Sequence, residues 1–136
     1  MNKNEILEFI AENPMGCLGT VDERSARVRF MDTFRSDENG LIFYTGKQKS
    51  VFKQISKNPE VEVCYFAKGV QIRVRGKIEF VDDLKLKKEI VKEKTFLAPF
   101  YKQDEDYQHL GVFRLKGKAT VWTMKAFTAE STFVDL

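Results

Sequence analysis

Residues 41–66 read LIFYTGKQKSVFKQISKNPEVEVCYF, and the reading of this run decides the fold. Leu41 to Thr45 is an apolar run of strand length. Gly46 to Lys49 interrupts it, and Val51, Phe52 and Ile55 then fall on one face at helical spacing, with Ser50 placed to cap the helix. The helix must stop by Lys57, because Asn58-Pro59 disfavours helical backbone. Val61 to Phe66 resumes a strand. A strand, a single short helix and a second strand, bounded by turn residues, point to a mainly β domain with appended helices.

Upstream, Ser36-Asp37-Glu38-Asn39-Gly40 reads as a turn with Gly where positive φ is needed, so Ala26 to Arg35 is the hairpin partner of Leu41 to Thr45. Met15 to Val21 precedes it across the polar turn Asp22-Glu23-Arg24-Ser25. The chain opens with a helix over Glu5 to Glu12, with Asn4 as its cap and Pro14 beyond its end. Downstream of Ala67-Lys68-Gly69, the run from Val70 to Val81 alternates. Val70, Ile72 and Val74 share one face, and Gln71, Arg73 and Arg75 the other. Asp82 or Asp83 caps a helix from Leu84 to about Lys94 with a Lys-rich solvent face. An aromatic loop, Thr95 to His109, leads to two last strands, Leu110 to Leu115 and Ala119 to Met124, around Lys116-Gly117-Lys118. Six to seven antiparallel strands with three short helices make a Greek-key barrel the economical architecture, in a single domain over residues 1–136. A barrel this small is filled by its own side chains. A cofactor must then lie outside it or between two barrels, which predicts a homodimer.

The bulk numbers narrow the function. A net charge of +3, from 23 Lys and Arg against 20 Asp and Glu, is spread along the chain and calls for neither nucleic acid nor membrane. The opening residues carry an acid and no apolar signal segment, so a cytoplasmic location is expected. Cys17 and Cys64 lie in separate strands and form neither a CxxC pair nor a zinc cluster; they read as two buried small apolar side chains. The lone His109 supports neither a hydrolytic triad nor a metal site. No glycine-rich phosphate loop occurs. What remains is Tyr44-Thr45-Gly46-Lys47-Gln48-Lys49-Ser50. There helix-end amides, the hydroxyls of Thr45 and Ser50 and the charges of Lys47 and Lys49 combine as a phosphate cradle. Arg27 and Arg29 share one face of the preceding strand and are delivered beside that loop by the hairpin.

These features, together with Gly19-Thr20-Val21-Asp22, Ala26-Arg27-Val28-Arg29, Lys49-Ser50-Val51-Phe52-Lys53-Gln54-Ile55 running into Asn58-Pro59-Glu60-Val61, and Gln71-Ile72-Arg73-Val74-Arg75-Gly76, occur in a telling order. The chain from Ile6 to about Met124 resembles the pyridoxamine 5′-phosphate oxidase-like FMN-binding split barrels, especially the short nitroimidazole-reductase-like and general-stress-protein-like members. The resemblance implies bound FMN. Arg29, Phe30 and Met31 would line the flavin, Tyr44 and Thr45 border the ribityl phosphate, and Lys47, Lys49 and Ser50 hold the phosphate. Gln71 would reach the isoalloxazine ring. Trp122, or Phe100 or Tyr101, would stack on the cofactor of the other subunit. The chain departs from the family oxidase at Ser50-Val51, where that enzyme has Arg-Lys, and at Phe34, where it has a substrate-binding Lys. Its ending, Phe133-Val134-Asp135-Leu136, also lacks the oxidase's Arg and His. The implied function is therefore an FMN-dependent oxidoreductase acting on a small substrate other than pyridoxamine 5′-phosphate. Two alternatives stay open: a flavin store or sensor without turnover, and a nucleic-acid-binding β-barrel.

Overall fold

Side chains of alternate sign of hydropathy create the strands, and their burial follows. In the computed structural model, which describes residues 1–127 and 129–136, α1 (Lys3–Glu12) is followed by β1 (Met15–Asp22), β2 (Ser25–Asp37) and β3 (Gly40–Gly46). Next come α2 (Ser50–Lys57), β4 (Glu60–Ala67), β5 (Val70–Phe80) and α3 (Leu84–Glu93). Two 3₁₀ turns, Thr95–Phe100 and Asp104–His109, lead to β6 (Leu110–Leu115), β7 (Lys118–Thr123) and the short β8 (Val134–Asp135). β1, β2, β3, β6, β5 and β4 pair in that order, and β4 pairs back to β1, so six antiparallel strands close a barrel. β7 pairs with the half of that β5 edge which β6 leaves free, and β8 pairs with β7.

Leu18, Phe43, Val63, Tyr65, Ile72 and Phe113 fill the barrel, and Ile6 and Ile10 of α1 with Val51 and Ile55 of α2 close over it. A second apolar layer forms outside, where Ile42 and Tyr44 of β3 and Val112 of β6 pack under Leu86, Ile90 and Val91 of α3. β3 is therefore covered on both faces, which explains its unbroken apolar run.

β5 changes partner along its length. Its first half, Val70 to Arg75, pairs with β7, and Ile78 to Phe80 pairs with β6. β6 and β7 follow one register along the same edge of β5, Leu115 opposite Ile78 and Lys118 opposite Arg75, and the break between them passes β5 closely at Gly117, where a Cβ would run into the Arg75 carbonyl. Gly76 faces this break, with its would-be Cβ 3.2 Å from the Gly117 Cα. The segment Lys116-Gly117 thus joins strands that are not partners.

Four details differ from expectation. Asn2, not Asn4, caps α1: its Oδ1 accepts from the Glu5 amide at 2.9 Å while Glu5 Oε1 accepts from the Asn2 amide at 3.1 Å. This reciprocal box needs an acid three residues after the cap, which Asn4 lacks, since Leu7 stands there. Lys49, not Ser50, is the cap residue of α2, because the turn from the Lys49 amide to the Gly46 carbonyl at 3.1 Å draws the chain into the helix one residue early. Cys17 and Cys64 are half-exposed rather than buried. An eighth strand, β8, forms along β7.

Candidate functional site

The β2–β3 ladder runs from Asp37–Gly40 only as far as Thr33–Phe43, with an irregularity between Thr33 and Arg35. Beyond it, Ser25 to Asp32 of β2 is paired with β1 alone, and Tyr44 to Gly46 of β3 with β6 alone. Two strand edges therefore face each other with unpaired backbone groups, and such groups need partners. The Thr33 amide turns away to the Pro14 carbonyl at 2.9 Å. One side-chain contact spans the opening: Tyr44 Oη donates to Asp32 Oδ2 at 2.6 Å, and Lys94 Nζ reaches the same oxygen at 2.9 Å. Burial first, then Asp32, pushes the Tyr44 phenol well above its ordinary pKa. Tyr44 lies outside the barrel, and Thr45 has the opposite facing and is buried.

Arg29 sits at the mouth of this opening. It has the facing of buried Met31 and Thr33, while Val28 and Phe30 between them are 70% and 77% exposed. The usual pattern of charge out and apolar in is reversed here, because β2 runs on past the filled interior and its inward side meets the polar Gln54 on the buried face of α2. Arg29 Nη1 donates to the Leu18 carbonyl at 3.1 Å and to Thr20 Oγ1 at 2.8 Å, and Nη2 to Gln54 Oε1. Thr20 also donates to Gln54 Oε1, at 2.7 Å. Burial lowers the Arg29 pKa, with Cys17 opposing. Arg27 is not brought to the loop: it is exposed and turns back on the Ala26 carbonyl at 3.1 Å. The hairpin turn had promised two arginines at the cradle, and the local course of β2 provides one.

Lys47, Lys49 and Ser50 are exposed on the loop between β3 and α2. The Lys47 amide is held by the His109 carbonyl at 2.9 Å, and its ammonium lies 5.9 Å from the centre of the Phe52 ring. Phe52 in turn rests on Gly111, where a Cβ would stand 2.7 Å from the ring. Beside the loop a cavity of about 480 Å³ is lined by Gly46, Gln48 and Lys49 and by Phe96, Leu97, Phe100, Tyr101 and His109. The aromatic loop and the exposed His109 thus border the cradle.

Gln71 and Trp122 lie directly opposite each other on β5 and β7. They share the outward face, since Ile72 and Val121 beside them are buried. Trp122 Nε1 donates to the Phe127 carbonyl at 3.3 Å. β5 is three strands away from β2 by way of β1 and β4, a separation of about 14 Å along the sheet. One chain therefore carries two groups of predicted site residues, Arg29 to Ser50 and Gln71 with Trp122, and does not bring them together.

Thr20, Gln54, Asp32, Lys94 and Phe96 were not among the predicted site residues. Gln54 carried a signal, because it stands on the buried face of α2 between Val51 and Ile55. Asp32 and Lys94 meet only through the opening between β2 and β3, which no local pattern announces.

The family described as pyridoxamine 5′-phosphate oxidase matches residues 3–124. A pyridoxine-5′-phosphate oxidase of Dictyostelium discoideum is 34% identical over 64 residues, a match that spans 47% of this chain and 27% of that one. The crystal structure of a NimC/NimA family protein of Clostridium acetobutylicum superimposes with a TM-score of 0.78 at 27% identity, covering 96% of this chain and 91% of that one. A pyridoxamine 5′-phosphate oxidase-related, FMN-binding protein of Nostoc punctiforme shares the fold, with a TM-score of 0.64 at 14% identity over 90% of this chain and 84% of that one. Among the described residues no helix is long and apolar enough to cross a membrane.

Proposed function

This chain belongs to the pyridoxamine 5′-phosphate oxidase family, and on that premise we propose that it binds FMN between two subunits of a homodimer and serves as an oxidoreductase. The observation that carries the reading is the state of Arg29. Of its five N–H donors, three are spent on Leu18, Thr20 and Gln54; Nε–H and one Nη2–H remain for an anion. The guanidinium is thereby fixed in place at the open edge and tied to α2 through Gln54, one turn past the helix start that follows Lys49; together these are the donor types a phosphate needs. The FMN-binding relative of Nostoc supports the same ligand.

The flavin supplies two-electron redox chemistry when bound. The chain's residues supply place and dryness. Lys49, the amides opening α2 and Arg29 hold the phosphate end. The unpaired edge groups of β2 and β3 offer hydrogen bonds along the ligand. Gln71 and Trp122 of a second subunit complete the ring end, because their own subunit's cradle is too far away. An apolar patch of Val28, Phe30, Met15 and Phe66 lies between the two groups on the outer face of β2, β1 and β4. A two-fold axis through that patch brings each cradle to the partner's Gln71 and Trp122.

Flavin bands in the visible spectrum of the freshly purified protein are expected. The preference for FMN over riboflavin should reside in the cradle. A helix start contributes about 0.3–1 kcal/mol to a bound anion and a charged hydrogen bond about 1.5–3 kcal/mol. Lys49→Ala should thus weaken FMN about ten- to a hundredfold and leave riboflavin nearly unchanged, as read by flavin fluorescence on the apoprotein. Equal losses for both ligands would overturn the assignment of the phosphate end. Pyridoxamine 5′-phosphate should be a poor substrate in flavin reoxidation assays. Phe34, half-buried against the α3 layer, offers no ammonium to that substrate's phosphate.

A further inference from the structure

The barrel closes where β4 returns to β1, and this seam is thin: Cys17–Cys64, Leu18–Val63 and Gly19–Glu62 are its only register pairs, against eight between β1 and β2 and eight between β4 and β5. The first of these pairs sets two free thiols directly opposite each other, although they stand 47 positions apart in the chain. Leu18 and Val63 beside them are fully buried, so both sulfurs project from the outer face, where both residues are half-exposed. We propose that Cys17 and Cys64 form a reversible oxidation site, converted by a hydroperoxide into an intrachain disulfide that staples the barrel seam.

The backbone already meets most of the geometric demand. Opposed residues of antiparallel strands have Cα atoms about 4.5 or 5.5 Å apart, and disulfides accept about 4.4–6.8 Å. Their Cβ atoms stand about 4.5–5.5 Å apart, whereas a bridge wants about 3.8 Å. The strands must draw together by about an ångström, and the strain makes the bond easy to reduce again. Arg73 lies opposite Cys64 on its other side and carries Glu62 and Glu130 as ion-pair partners. Burial pushes the Cys64 thiol up, Arg73 opposes the rise, and Cys17, Glu62 and Glu130 add to it, so the thiol stays above its ordinary pKa.

The chemistry balances with the peroxide alone. One thiolate attacks the O–O bond; an S–O bond forms, and the leaving hydroxide takes up that thiol's proton as water. The second thiol attacks the resulting sulfenic acid; the S–S bond forms, the S–O bond breaks and a second water leaves. Two electrons pass from the sulfurs to the peroxide. The bridge closes a loop that contains β2, β3 and α2, and therefore the whole cradle. Both sulfurs lie on the outer face that the proposed dimer contact would cover, since Phe30 stands opposite Cys17; peroxide then reaches them through dissociated subunits, and the partner of each sulfur is read at the end point.

The full-length protein, reduced, desalted and treated with a small excess of hydrogen peroxide, should lose two hydrogens in intact mass and both alkylatable thiols. Tryptic peptides containing Cys17 and Cys64 should be linked, and dithiothreitol should restore the starting state. The thermal midpoint should rise by about 5–15 °C on oxidation, as expected for cross-linking a loop of this length less some strain, and fall back on reduction. Cys17→Ser and Cys64→Ser should each show no such shift. A bridge between two chains, uptake of oxygen in place of loss of hydrogen, or the same thermal shift in either serine variant would overturn the proposal.

Discussion

Tyr44 and Tyr65 hold their phenols from water by different means, with one consequence for stability. Tyr65 is fully buried in the barrel and shares a hydrogen bond of 2.6 Å with the Thr33 hydroxyl; its burial raises the phenol pKa more than Thr33 lowers it. Tyr44 is raised by burial and by the Asp32 carboxylate it donates to. In the unfolded chain both titrate near the ordinary 10.0. Above that pH the unfolded chain therefore binds fewer protons than the folded one, and stability must fall as pH rises. Each phenol contributes a slope of at most about 1.4 kcal/mol per pH unit. Urea midpoints measured from pH 9 to 11.5 should decline, and Tyr44→Phe should make the decline shallower. At this scale the sequence was a partial guide. It showed Thr45, Lys49 and Ser50 at a strand-to-helix junction, because chain neighbours are enough for that. It misplaced Arg27, because which side of β2 meets α2 depends on where the barrel's filled interior ends.

Strands and helices were legible wherever one buried face left a period in the sequence, and illegible where a partner was chosen by topology. β5 shows both cases: its alternation gives the strand, but nothing in it marks the point at which it exchanges β7 for β6. That exchange depends on Gly117, the residue that lets the break between β6 and β7 lie close against the Arg75 carbonyl. Gly117→Ala should therefore cost about 3 kcal/mol or more, at the upper end of what overpacking does, since backbone rather than a yielding side chain stands in the way. Gly111→Ala should cost less, because its added Cβ meets the ring of Phe52, which can swing outward over the surface loop. Denaturant unfolding of the two variants orders them, and a Gly117→Ala protein as stable as Gly111→Ala would show that the close approach to Arg75 has room to relax. β8 escaped notice because two residues carry no period, and its pairing is set by the edge of β7. The opposition of Cys17 and Cys64 was hidden for the same reason, since it exists only once β4 closes on β1.

For the molecule as a whole, the filled barrel leaves the proposed flavin site on the outside, divided between the open edge of β2 and the Gln71–Trp122 pair. The apolar patch between them is large for an exposed sheet face: Val28, Phe30, Met15 and Phe66 are 70%, 77%, 56% and 60% exposed. Side chains of this kind at the centre of a surface mark an interface core, and a two-fold contact repeats each of them across the axis. Val28 of β2, opposite Gly19, is the test residue, because it is not among the residues expected to line the flavin and the barrel interior does not use it. Val28→Asp places a charge where the partner's apolar surface would lie: one unpaired carboxylate per subunit, desolvated on association, costs several kcal/mol. The variant should sediment as a monomer at micromolar concentration with an unchanged far-ultraviolet spectrum, and it should lose FMN and riboflavin alike, since in the proposed arrangement the ring end comes from the partner. Lys49→Ala should do the reverse, remaining a dimer and losing affinity for FMN only. The two variants separate assembly from anion binding, and a monomeric Val28→Asp protein that held FMN as tightly as the parent would show that one chain builds the whole site.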